Sequence, residues 1–336
     1  MAYTIGLDVH KRETQACIVD ETGAVVAEKR FPTRSHAFRR ALKDYPASTV
    51  VLESVGMHRP VVKWLQEEGH KALVAFVGDQ RRPRIKHDRK DAHKIVTRHR
   101  ANDLIMAYVP PEEMQLVRDL ARHRMFLGEQ GGRLKTKIAH DVLKHGHFRD
   151  VNPVETQKDR AWLRRLKLPE VTSTLNLLEA IEKETKTAQQ GIESYASENP
   201  IVQLLTTVPG IGAYSATLIL AEVGDFTRFA KAENVGAYAG LVPSRNQSGD
   251  HDYHGSITKR GNPTLRWILV EAARNHVIRC PESDLTKHYK HLLESKPQRV
   301  ALTAAARILA GVLWSMVLHH EPFRVKPKDA GENAAA

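Results

Sequence analysis

YTIGLD, at residues 3–8, is a short apolar run that ends in an acid, and a second such run, TVVLE, ends at residue 53. Apolar runs of this length, bounded by polar residues, are typical of β-strands. A DxxD pair, Asp88 and Asp91, follows in the basic stretch KHDRKDAHK at 86–94. If that stretch is helical, the two acids share one face. Acids at two strand ends and on one helix can therefore converge from distant points of the chain.

The residues around these acids predict an α/β arrangement. Residues 14–20 and 24–31 have the pattern of two strands joined by a turn, and 72–77 that of a later strand. Helices are predicted after Ser35 and from Pro60. A strand hairpin followed by alternating strands and helices is the ribonuclease-H-like order. Actin-like ATPases and sugar kinases share the opening, but they need later Gly-rich phosphate loops, and the sequence has none of the expected form.

Four carboxylates in one place repel one another unless cations neutralise them. Mg²⁺ prefers carboxylate oxygens and keeps several of its waters. Two such ions about 4 Å apart can stabilise both the attacking and the leaving oxygen in phosphoryl transfer. Taken singly, each acid is more often a turn, cap or solvated residue. Their order along the chain makes Asp8, Glu53, Asp88 and Asp91 candidate catalytic residues and Mg²⁺ ligands.

The composition agrees with a nucleic-acid partner. The chain has 51 Lys and Arg against 39 Asp and Glu, a balance that suits phosphate backbones. Its 336 residues can form two domains. A hydrophobic content of 41% indicates that the chain as a whole is globular and not a disordered basic segment. Two cysteines without metal-ligand spacing and no visible signal peptide predict a cytoplasmic protein. The apolar segment Ala301–Leu318 is interrupted by Arg307, which favours a core helix over a membrane span.

Beyond residue 110 the pattern is helical. Residues 112–145 carry apolar residues at helical spacing, and residues 175–195 carry them at near-heptad spacing. Together they predict an antiparallel coiled-coil hairpin. Glycines at 128, 131 and 132 are weak points in its first helix. We expect four regions: an α/β domain at 1–110, a coiled-coil region at 111–198, a mostly α C-terminal domain at 199–325 and a disordered tail at 326–336.

Two motifs in the C-terminal domain are candidates for phosphate binding. PGIG, at 209–212, is the mark of a helix–hairpin–helix, whose backbone N–H groups can hold a DNA phosphate; an ordinary corner between packed helices is the alternative. ITKRGN, at 257–262, leads into a helix, and its basic residues can clamp a phosphate or form a solvated face. The candidate nucleic-acid contacts are Lys86, Arg89, Lys90, Gly210, Gly212, Lys259, Arg260 and Arg266.

Taken in order, these motifs resemble the transposases of the insertion-sequence 110 family, relatives of the Piv DNA invertase that are also known as bridge-RNA-guided recombinases. The resemblance covers nearly the whole chain, including its coiled-coil middle. The matching motifs are GLD at 6–8, ES-x-G at 53–56, K-x-D-x-x-D-A at 86–92, PGIG at 209–212, GLVP…SG at 240–249 and ITKRGN-x-x-LR at 257–266.

The resemblance implies a RuvC-like N-terminal domain, whose acidic quartet falls on the four acids above, and a catalytic serine, which falls on Ser248. In that family the serine attacks a DNA phosphodiester and becomes linked to a DNA end, beside the quartet's Mg²⁺ in a composite site between subunits. A homo-oligomer, specifically a tetramer, is also implied, with a non-coding bridge RNA that pairs with donor and target DNA. The implied protein acts on the nucleoid in the bacterial cytoplasm.

Two functions remain open from the sequence. An RNA-guided DNA recombinase would use the quartet and Ser248 together, whereas a metal-dependent junction nuclease would use the quartet alone. A serine hydroxyl needs activation by a metal or a base. Ser244 and Ser256 are neighbouring serines, and the Gln-Ser-Gly setting favours Ser248. The segment DHDYH, at 250–254, departs from the small or basic residues that the family has there.

Overall fold

The computed structural model describes residues 2–54, 56–76, 88–148, 154–248 and 251–325, except the side chains of 88–90, 245–248 and 251–254. The chain divides into two compact units between Val109 and Pro110. The tail predicted at 326–336 lies outside the described residues.

The first unit is an α/β unit, as the sequence predicts. Its elements are β1 (Thr4–Val9), β2 (Glu13–Val19), β3 (Val25–Pro32), α1 (Ser35–Leu42), β4 (Thr49–Glu53), α2 (His58–Glu67), β5 (Lys71–Phe76), α3 (Asp88–Arg100) and β6 (Ile105–Met106). The strands form one mixed sheet in the order β3-β2-β1-β4-β5-β6. β1, β4 and β5 run parallel, while β2 pairs antiparallel with both β1 and β3. The short edge strand β6 has no counterpart in the sequence-based prediction.

The two faces of this sheet are covered by different helices, because successive side chains of a strand point to opposite sides. Ile5 and Leu7 of β1 pack in a core with residues of α1 and α2. Gly6 faces α3, and a Cβ atom at this position would lie 2.4 Å from the carbonyl oxygen of Ala92. Glycine at this position therefore lets α3 lie directly on β1.

The second unit is helical apart from one strand hairpin. Its elements are α4 (Glu112–Lys144), α5 (Gln157–Arg165), α6 (Pro169–Glu198), α7 (Pro200–Thr206), α8 (Ala213–Val223), a 3₁₀ turn (Phe226–Arg228), α9 (Ala232–Tyr238), β7 (Pro243–Ser248), β8 (His251–Ile257), α10 (Pro263–Arg279), α11 (Asp284–Leu293) and α12 (Gln298–His319).

The two long helices α4 and α6 pack against each other along their length. Gly131 of α4 lies against Leu178 and Ile181 of α6. Leu120, which precedes Gly131 in α4, contacts Gly191, which follows Ile181 in α6. The two helices are therefore antiparallel, and the glycines are points of close approach that leave α4 uninterrupted. Between them the chain forms α5, a helix that the sequence pattern did not predict.

The remaining helices enclose one apolar core, in which α12 is central. By length and composition alone, α12 is the one helix in the described residues that could cross a membrane. Its residues Ala301, Ala305, Leu309 and Leu313 are fully buried and pack in the core with residues of α8 and α10. Burial among other helices is typical of a core helix.

Candidate active site

The first two acids of the proposed quartet lie next to each other at the ends of adjacent strands. β1 and β4 are parallel, and their pairing runs up to Leu7 opposite Leu52. Asp8 and Glu53 each follow by one residue, so they point to the same face of the sheet. Asp8 is 8% exposed, and its Oδ2 lies 3.1 Å from Nε2 of His10.

The face that carries Asp8 is the face that α3 covers. Gly6, two residues before Asp8, is in contact with Ala92, and Asp91 directly precedes Ala92. Asp91 is partly exposed and forms an ion pair with Lys94, with Oδ1 and Nζ 3.2 Å apart. Asp88 is the first residue of α3. The fold thus brings the ends of β1 and β4 and the beginning of α3 to one side of the sheet.

The donors at this side are carboxylate oxygens, which are the ligands that hard divalent cations prefer. Among the described side chains, however, no three His, Cys, Asp or Glu residues are close enough to hold a metal ion. The side chain of Asp88 is not among those described. Arg89 and Lys90 lie on α3 with undescribed side chains, and Lys86 lies outside the described residues.

Ser248 is the last residue of β7, in a strand hairpin that the sequence pattern predicted only as a loop. β7 and β8 pair antiparallel up to Ser248 and His251. The hydroxyl of Ser244 donates to the carbonyl of Ser256 across the hairpin, over 3.0 Å. The Ser244 hydroxyl therefore stabilises the hairpin by linking its two strands. The side chain of Ser248 is not described.

Arg266, one residue of the predicted basic cluster, stabilises the base of this hairpin. Nη1 of Arg266 donates to the carbonyls of Ala239 and Lys259, at 2.9 and 3.3 Å. Gly240, with φ +70°, lies so close that an added Cβ atom would be 2.7 Å from the carbonyl oxygen of Arg260. Arg266 therefore braces the backbone, whereas the Lys259 and Arg260 side chains are exposed and available to a phosphate.

The PGIG segment forms a tight turn between α7 and α8. Gly210 has φ +96°, and an added Cβ atom would lie 2.6 Å from the backbone nitrogen of His276. Gly212 is the N-cap of α8, and no atom lies within 4 Å of a Cβ built there. Gly210 is thus required by packing against α10, and Gly212 faces open space.

The side chain of His276, in α10, holds this turn in place by a hydrogen bond. Its Nδ1 lies 2.9 Å from the carbonyl oxygen of Pro209, which can only accept, so Nδ1 carries the proton and donates. Its Nε2 lies 2.9 Å from the hydroxyl oxygen of Ser283. The side chain is completely buried, and this burial lowers the pKa of His276 although the bond to Pro209 opposes the change.

We predict that acid weakens this corner of the protein. The pKa of an unfolded histidine is about 6.5, and burial makes the pKa of His276 lower than this in the folded state. Such a histidine contributes its full stability above pH 6.5, and this contribution is lost as the pH falls through the folded-state pKa. His70 and His99 have the same direction of shift. Thermal unfolding between pH 7.5 and 5 should show a decreasing midpoint, and His276→Gln should start lower and decrease less steeply. An equal slope in both proteins would contradict the assignment.

A buried ionic network near the hairpin escaped the sequence analysis. Glu222 of α8 is completely buried, and Arg122 of α4 donates to both of its carboxylate oxygens, at 2.6 and 2.8 Å. Nδ2 of Asn262 donates to Oε2 at 2.6 Å, and the Asn262 side chain also caps α10. The sequence signal was a single acid inside the apolar run 216–223. This network joins α4, α8 and the start of α10.

Comparison with known proteins identifies the family. A DEDD transposase model of the IS110 family matches residues 5–147, and the model described as "Transposase IS116/IS110/IS902 family" matches residues 202–290. A probable family 20 transposase from Pseudomonas aeruginosa is 28% identical, over 95% of this chain and 98% of its own length. The transposase for insertion sequence element IS1111A from Coxiella burnetii is 25% identical, over 95% and 91%. Together the two models match more than half of the sequence, and this chain belongs to the IS110 family of transposases.

Proposed function

We propose that this transposase is an RNA-guided DNA recombinase in which an acidic quartet and a serine act together on DNA phosphodiesters. The observation that supports it best is the register of β1 and β4, because it sets Asp8 beside Glu53 on the face that α3 covers. The strand order of the first unit is compatible with a ribonuclease-H-like, RuvC-like domain. A DEDD domain suggests dependence on a divalent metal.

In this proposal Asp8, Glu53, Asp88 and Asp91 would hold Mg²⁺, whose role when bound is to stabilise charge that develops on the phosphate. The residues fit a hard cation by their chemistry, since all four offer carboxylate oxygens. The near-complete burial of Asp8 keeps its carboxylate in one place, and α3 carries the other two acids three residues apart.

Ser248 is the proposed nucleophile. Its oxygen would bond to the phosphorus of the scissile phosphodiester and displace one deoxyribose oxygen, which takes up a proton. The resulting phosphoserine conserves the energy of the phosphodiester, so the DNA can be rejoined without ATP. Ser244 is less suited because its hydroxyl already donates to Ser256. Lys259 and Arg260, both exposed at the base of the hairpin, are the proposed cationic contacts to the DNA.

Donor and target DNA are the proposed substrates, and a non-coding bridge RNA is the proposed guide. A composite site in a tetramer of this chain would combine the quartet of one subunit with the serine of another. Guidance by base pairing would remove the need for a protein element that reads base sequence.

A covalent-trapping assay tests the serine. The assay contains labelled donor and target DNA, Mg²⁺ and the RNA transcribed from the sequence that flanks the transposase gene in its insertion sequence. We expect a DNA-linked protein band with the wild type, and we expect Ser248→Ala to abolish this band. Ser244→Ala is the matched control and should retain the band. Metal-dependent nicking that survives in Ser248→Ala, with no linked band in the wild type, would instead identify a metal-dependent junction nuclease that uses the quartet alone.

A further inference from the structure

The far end of the helical hairpin is unusually basic. In residues 133–148 and 154–170, the described residues that we call the tip, the sequence has nine Lys and Arg against four Asp and Glu. The following stretch, 171–199, has the opposite balance, with two Lys and five Glu. The positive charge of the hairpin is therefore concentrated at the tip, where α4 ends, α5 forms and α6 begins.

The described helices of the tip are held together by a small core of their own. Ile138 of α4, Leu163 of α5 and Val171 of α6 are completely buried in a small separate core. Thr156 and Asp159 form a capping box at the start of α5, in which each side chain bonds the backbone N–H of the other. Such a cap fixes the first turn of a short helix. The charged residues on the tip are therefore held at defined positions.

The described acids at the tip already have partners within it. Asp141 pairs with Lys137, Glu155 with Lys135, and Glu170 with His145, with contacts of 2.7, 3.3 and 2.6 Å. Asp159 serves in the capping box. Two acids of α6 extend this pattern, since Glu182 pairs with Arg160 and Glu179 with Arg164.

A surplus of cations remains after this pairing. Among the described side chains, five exposed cationic ones form no ion pair with an acid: Arg133, Lys144, Lys158, Arg165 and Lys167. The ion pair between Lys135 and Glu155 links the segment that carries Arg133 to the segment that carries Lys158. The pair between His145 and Glu170 links the segments that carry Lys144 and Lys167. The internal ion pairs thus gather the surplus cations at one end of the hairpin.

We propose that this tip is a DNA-binding surface that contacts the phosphate backbone of duplex DNA, through residues other than those of the quartet and of the Ser248 hairpin. Uncompensated like charges repel one another and weaken the compact state unless an anionic partner neutralises them. Duplex DNA presents a dense row of phosphates to such a surface, and each contact releases condensed counterions. The family membership supplies DNA as the partner, and the contact carries no base specificity.

The test neutralises four surplus cations in the full chain: Lys144→Gln, Lys158→Gln, Arg165→Gln and Lys167→Asn. Asn is chosen at 167 because this residue has φ +53°, a conformation that Asn tolerates. The matched control, Lys183→Gln, Lys186→Gln, Lys296→Gln and Arg299→Gln, changes the net charge equally at other exposed positions. The substituted side chains are exposed, and circular dichroism should confirm that both variants fold.

Fluorescence anisotropy with a labelled duplex DNA, over about 50 to 200 mM salt, measures the affinity and its salt dependence. We expect the tip variant to bind at least about tenfold more weakly and to lose about two to four from the slope of log K against log salt, because each phosphate contact contributes about 0.9. The control should change by less than about twofold. Equal losses in both variants, no loss, or a loss seen with an RNA duplex but not with duplex DNA would each overturn the proposal.

Discussion

Asp8→Asn is expected to reduce DNA cleavage by about a thousandfold while leaving the first unit folded. The exchange keeps the size and shape of the side chain but removes the charge that the proposed metal site needs. A bound metal contributes several kcal/mol of transition-state stabilisation in phosphoryl transfer, and about 4 kcal/mol corresponds to a thousandfold in rate. The change should lower the rate of DNA nicking and strand transfer alike, whereas Ser248→Ala should remove the covalent product.

The control for this variant is Asp103→Asn, the same exchange at an exposed aspartate. Asp103 accepts from Nε of Arg98 at 2.8 Å, near the other end of α3. An exposed ion pair contributes at most about 1 kcal/mol, so this variant should keep its activity. Cleavage by Asp8→Asn within about tenfold of the wild type, with the same Mg²⁺ dependence, would remove Asp8 from the catalytic site.

The main elements of the first unit were predictable because their signals are local. The predicted strands lie within one residue of β2, β3 and β5, and Glu53 ends β4 as expected. The close approach of α3 to β1 was not predictable from the GLD motif alone. It depends on Gly6 meeting Ala92, 86 residues later, and such a contact becomes visible only once the chain is folded.

The second unit shows the same division between local and distant information. The apolar spacing predicted α4 and α6, but α5 depends on a capping box and on burial of Leu163 between the two long helices. The segment 243–248, PSRNQS, lacks the alternation of a strand and was expected to be a loop. Its pairing with β8 begins from a base where Gly240 and Gly261 both have positive φ and lie against neighbouring backbone.

Arg122→Met is expected to destabilise the second unit by about 3–5 kcal/mol, because it leaves the carboxylate of Glu222 buried without its main partner. Glu222 is completely buried, and Arg122 satisfies both of its oxygens. Asn262 and the more distant Arg118, whose Nε is 3.8 Å from Oε2, cannot replace a bidentate guanidinium. The hydrogen bonds to Glu222 also raise the pKa of Arg122, in agreement with a close charged pair.

The reverse substitution, Glu222→Gln, should cost less, about 1–3 kcal/mol. The side chain of Arg122 is 44% exposed, so without its partner it can turn to water, whereas Glu222 has no such escape. Urea unfolding and hydrogen exchange of α8 peptides measure both effects. Arg164→Met, which breaks the half-exposed pair with Glu179, is the control and should cost at most about 1 kcal/mol. If Arg122→Met cost no more than Arg164→Met, the network would not be the link that holds the start of α10 to α4 and α8.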